Sequence, residues 1–110
     1  MLSRRHPRHA VELPVRFTGD HDGEGLLTNL SFGGCRIERT DRLMEQSAVL
    51  TLDFYPSLQE SPVNIDAAVV RWSSGSACGV EFLGIGPEAQ HQLARYIAGP
   101  ALTQSWVKYL

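Results

Sequence analysis

Arg4, Arg5 and Arg8 lie in the run RRHPR near the start of the chain, and Asn29, Ser31, Gly33 and Gly34 lie in the run NLSFGG further on. Guanidinium groups four residues apart, on Arg4 and Arg8, can be aimed at one ligand when their segment is held. Each planar fork suits two acceptors of a phosphate or of a guanine edge. Pro7 limits the backbone just before Arg8. In the second run an amide, a hydroxyl two positions on, and two glycines bring polar groups and unobstructed backbone N–H groups together. If residues 29–31 end a strand, Asn29 and Ser31 share one face and Leu30 points into the core. Taken singly, the first run is a solubilising terminus and the second an Asn-Ser-Gly turn. Taken together they describe a pocket for concentrated negative charge. Holding a basic arm there costs roughly 1–2 kcal/mol of entropy per backbone residue fixed, which bidentate charged contacts can offset.

Nothing in the chain calls for chemistry beyond binding. Ser31 lacks a nucleophile elbow and an evident His and acid pair. His6 and His9 stand three apart, and zinc would need further ligands. The segment GDHDGEG is turn chemistry whose spacing does not fit a calcium loop. His6, His9 and His21 read as surface residues, and His91 falls off the apolar stripe of its helix, on the solvent side. No catalytic residue, metal set or cofactor is expected.

A chain of 110 residues suits one domain with one modest core. Without the three arginines of the arm, seven basic residues face twelve acidic ones, so the body is acidic and the arm basic. An acidic body excludes a broad duplex-binding face, and DNA is not an expected partner. Cys35 and Cys78 have no metal-ligand spacing and read as buried thiols of a reducing compartment, each beside a glycine that permits close strand packing. No apolar run nears the roughly twenty residues that cross a bilayer, and no hydrophobic signal segment is evident, which favours the cytoplasm.

Strands are expected at 11–18, 24–30, 34–39, 48–54, 63–72 and 77–84, with Pro14 at the start of its strand or on an edge. SFGG is a tight turn between two strands or a glycine kink within one. Short β-rich segments separated by Gly, Ser, Asp and Pro indicate an antiparallel all-β body that closes into a small barrel. Residues 87–98 carry the one helix signature: Pro87 at its first position, an apolar stripe of Ala89, Leu93, Tyr96 and Ile97, and Gly99-Pro100 as its stop. That stripe must lie across the barrel. The chain thus divides into a flexible basic arm at 1–9, barrel and helix at 10–100, and a tail at 101–110 whose Trp106 and Tyr109 suit contact with the body, with a partner protein or with a second copy in a homodimer.

The sequence resembles the PilZ domain family. Its signature is RxxxR followed by (D/N)xSxxG, matched here by Arg4 to Arg8 and Asn29 to Gly34; RW at 71–72, GVEF at 79–82 and the helix fit as well, so that the likeness covers roughly residues 4–98. The resemblance implies a six-stranded PilZ barrel with a C-terminal α-helix and, as ligand, the bacterial second messenger cyclic di-GMP, held as one copy or two. By that likeness Arg4 and Arg8 clamp phosphate and the O6/N7 edge of guanine, and Arg5 adds phosphate contact or stacking. Asn29 bonds a guanine amino or imino group, Ser31 a guanine or phosphate, and Gly33 and Gly34 leave room. Where the family more often has aspartate, Asn29 forgoes a charge-assisted bond. Trp72, at a strand end, is divided between core packing and a platform beside the ligand, while Phe17 belongs to the core.

The expected action is that of a receptor: the ligand orders the arm against the barrel rim and changes a surface read by a downstream protein. Two other readings compete. One is a PilZ-like adaptor without nucleotide, as in type IV pilus assembly, although such adaptors usually lack the arginine motif kept here. The other is a small RNA-binding barrel, for which the acidic body offers no continuous basic track.

Overall fold

The computed structural model describes residues 8–41, 43–57 and 61–97. Six strands, β1 (His9–Gly19), β2 (Gly23–Leu30), β3 (Gly34–Glu38), β4 (Val49–Phe54), β5 (Val63–Ser74) and β6 (Ala77–Gly84), precede the helix α1 at 87–97. All neighbours are antiparallel, and the order β1-β2-β3-β6-β5-β4 closes on itself as a barrel. Alternation drives it. Leu13, Val15 and Phe17 of β1 turn inward, as do Leu50, Leu52 and Phe54 of β4, while the residues between them stay at least partly in solvent. The helix buries Ala89 and Leu93, with Tyr96 and Ile97 packed at the edge of the core, and it leaves His91 exposed.

Two expectations need correction. The first strand starts at His9 rather than residue 11, because His9 and Ala10 pair with Leu30 and Asn29 of β2. Arg8 is therefore tied directly to the barrel. Of the two places expected for Pro14, the structure gives the edge: it lies mid-strand, on the side where β1 has no β4 partner. It is tolerated because pairing with β4 begins only at Val15; the Pro14 carbonyl accepts from the Tyr55 N–H at 3.4 Å, and the missing N–H would point to that same side, beyond the end of β4. His21 is not a surface residue. Its side chain is 12% exposed, wedged between the β1–β2 turn and the loop before β4, where Nε2 accepts from the Glu45 N–H at 3.3 Å.

Cys35 and Cys78 are free, buried thiols on the inner faces of β3 and β6. Burial pushes both up, Cys78 to about 11; for Cys35 the neighbouring Cys78 adds to the effect and the Arg8 guanidinium opposes it. The folded chain thus keeps protons that the unfolded chain releases near the ordinary value of 9.0, so stability falls as pH rises from there towards 11. Urea midpoints measured across that window should decline, and the decline should shrink in Cys78→Ala.

Candidate functional site

The outer faces of β2, β3, β6 and β5 form one continuous surface, and the strand registers align Asn29, Arg36, Gly79 and Trp72 in a row across it. The next row contains Gly34 opposite Glu81. Between Val70 and Trp72 the register of β5 slips, so the consecutive residues Arg71 and Trp72 are both exposed on this surface. The SFGG segment is a tight turn joining β2 to β3, and it caps one end.

Ser31 holds that turn. Its N–H donates to the Gly34 carbonyl at 2.9 Å, its hydroxyl donates to the same carbonyl at 3.3 Å, and its Oγ accepts from the Gly33 N–H at 3.1 Å. The hydroxyl is buried and committed inside the turn. Gly34 has a packing reason to be glycine, since a Cβ there would overlap the Val80 carbonyl oxygen of β6. Gly79 makes room in another way: the Trp72 indole lies across it, so that a Cβ would overlap Nε1. Spanning Gly79 brings Trp72 from β5 to β3, where the Arg36 guanidinium stands 5.2 Å from its ring centroid as a cation–π pair. Arg36 Nε is also 2.8 Å from Glu38 Oε2, which in turn accepts from Thr28 Oγ1 at 3.0 Å. Gly79→Ala should swing the indole off Arg36 and shift tryptophan emission, with only a small change in stability because a side chain, not backbone, gives way.

A depression of about 660 Å³ opens over this surface, within the usual size of small-molecule sites. It gathers Arg8, Asn29, Ser31, Gly33, Gly34 and Trp72 on one wall or another. Arg4 and Arg5 lie outside the described residues. Trp72, 41% exposed, belongs to the depression and not to the core, whereas Phe17 is buried. The carbonyl oxygen of Asn29, Oδ1, is buried and accepts no hydrogen bond. It is an acceptor poised for a donor that the described residues do not supply. Reading the sequence missed Arg36, Arg71 and Glu81 as parts of the site. RW and GVEF were visible as family marks, but no local signal says that strands β3, β5 and β6 place them side by side.

Arg8, Arg36 and Arg71 against Glu81 give the depression a positive balance within an acidic body. Such a site can hold a compact anion that also has a flat face to stack and polar edges to read. A second depression, of about 670 Å³, runs along the exposed side of α1 between Ser61 and Arg95; Gln92 Nε2 donates there to the Ser61 and Pro62 carbonyls at 3.2 Å each. None of the sequence-predicted site residues lines it. Among the described residues no three His, Cys, Asp or Glu side chains gather as metal ligands, and no helix is long and apolar enough to cross a membrane.

Solved structures share the fold. The Bacillus subtilis inhibitor of motility (MotI/DgrA) superposes with a TM-score of 0.74 at 24% identity over 94% of this chain and 53% of its own, so this chain spans about half its length. The PilZ domain of CeSA from a cellulose synthesizing bacterium superposes with a TM-score of 0.67 at 12% identity, over 84% of this chain and 96% of its own. No curated protein matches the sequence. The PilZ domain family matches residues 2–99, nearly the whole length, and the chain belongs to that family.

Proposed function

We propose that this chain is a receptor for cyclic di-GMP, a binding module without catalysis of its own. The observation that carries the reading is the convergence of Arg8, Asn29 and Trp72 on one positive depression, with the Asn29 carbonyl oxygen buried and unanswered. Each feature suits part of that ligand. Guanidinium forks take phosphate or the O6/N7 edge of guanine, the amide oxygen takes a guanine N–H, and the indole offers a face for stacking. Because β1 starts at His9, Arg8 needs little backbone ordering to reach the rim, and Arg4 and Arg5 extend the clamp from the preceding residues. Ser31, already bonded within its turn, serves by holding the rim in shape.

Binding draws the part of the arm that precedes Arg8 against the barrel and changes the surface beside it, which a partner protein reads. Calorimetric titration with cyclic di-GMP at micromolar protein tests the reading, and an absence of heat would end it. Arg8→Ala should weaken binding by about 1.5–3 kcal/mol, the value of a hydrogen bond to a charged group. Unchanged affinity in this variant and in Arg4→Ala would remove the arm from the clamp.

A further inference from the structure

The two motifs bring cations, an amide, a hydroxyl and glycines to the depression. Strand β6 adds something of opposite character, the carboxylate of Glu81. Glu81 stands across from Gly34 and two residues along β6 from Gly79, over which Trp72 and Arg36 meet. That interval is about 7 Å on an extended strand, comparable to the long dimension of a purine. A base stacked on the Arg36–Trp72 platform would bring an edge to Glu81.

The way Glu81 is held leaves it able to read that edge. Arg71 Nε donates to Oε1 at 2.6 Å, and Arg71 Nη2 lies 2.6 Å from the same oxygen. The second oxygen, Oε2, has no partner among the described residues, and the side chain is 50% exposed. Arg71 therefore fixes the carboxylate without consuming it. An ionised carboxylate only accepts hydrogen bonds, so it repels phosphate oxygens and ring-nitrogen lone pairs and attracts N–H groups. Guanine presents two adjacent donors, N1–H and the N2 amino group. Adenine presents its N6 amino group beside the bare lone pair of N1, so one favourable contact is set against one unfavourable contact. Stacking on Trp72 and Arg36 cannot separate the two bases, because each has a π face.

We propose that Glu81, positioned by Arg71, accepts the N1–H and N2–H donors of one guanine stacked on the Arg36–Trp72 platform and so sets the preference of the site for guanine over adenine. This rests on the cyclic dinucleotide reading above. It also gives the site a charged acceptor, which the neutral amide of Asn29 does not provide.

Calorimetry on the full chain with cyclic di-GMP, cyclic di-IMP, which lacks the N2 amino group, and cyclic di-AMP tests it. The unaltered chain should bind them in that order. Glu81→Gln keeps the shape and removes the charge. It should weaken cyclic di-GMP by about ten- to a hundredfold and cyclic di-AMP far less, so the preference collapses. Arg71→Ala should erode the preference in the same direction by releasing the carboxylate. Equal losses for all three ligands in Glu81→Gln, or no loss, would overturn the role of Glu81 while leaving the receptor reading intact. Failure of the unaltered chain to bind any of the three would overturn both.

Discussion

Gly34→Ala is expected to lower the stability of the barrel by about 3 kcal/mol, at the upper end of what overpacking does. A Cβ at this position meets the Val80 carbonyl oxygen, with the Glu81 Cα a further 3.3 Å neighbour, and both belong to the backbone of β6. No rotamer relieves the overlap. The strands β3 and β6 would have to separate where Gly34 pairs with Glu81, and each strand of a closed barrel is held from both sides. The displacement also pulls on the SFGG turn, since the Gly34 carbonyl accepts from both the N–H and the hydroxyl of Ser31. Urea denaturation should show a lower midpoint, and cyclic di-GMP affinity should fall with it. A variant that unfolds at the original midpoint would show that the two strands are not fixed at this spacing.

Phe54→Ala is expected to be costlier, about 3–5 kcal/mol, the range for emptying a buried aromatic site. Phe54 is fully buried at the end of β4, opposite Val15 of β1 and Val63 of β5, and it belongs to the core cluster that lines the barrel. Strands on both sides hold the resulting cavity open, so little collapse can offset the loss. Since small domains are stable by only about 5–15 kcal/mol, this removes a large share of the total. The site on β2, β3, β5 and β6 is not touched, so nucleotide affinity measured well below the midpoint should persist. A drop smaller than about 1 kcal/mol would mean that neighbouring side chains refill the space.

These two residues illustrate what was legible in the sequence. Phe54 was readable because Leu50, Leu52 and Phe54 alternate, and period-two alternation survives in any strand with one face inside. β6 at 77–84 and both strands around SFGG were legible from their β-rich composition and from the Gly, Ser, Asp and Pro that bound them, rather than from alternation. Strand ends were less visible, because they depend on the partner: His9 and Ala10 extend β1 only because β2 reaches them. Met44 and His21 left no trace at all. Met44 is 1% exposed in a loop without periodicity, and His21 is enclosed by that same loop. At the candidate site, spacing within short runs singled out Asn29, Ser31 and Gly34. Arg36, Arg71 and Glu81 become neighbours only when the barrel closes, and the fitness of Gly79 depends on an indole from another strand.

Closure also governs how a second protein can approach. A sheet with an unpaired side invites another chain to extend it through backbone hydrogen bonds, and here the ring β1-β2-β3-β6-β5-β4 removes that invitation. Where β1 outruns β4, Pro14 withholds a backbone donor from the exposed side. Pro14 thus weakens strand addition, and with it edge-to-edge aggregation, on the side where β1 has no β4 partner. A partner must be chosen through side chains and turns, which can change over evolution without disturbing the ladder.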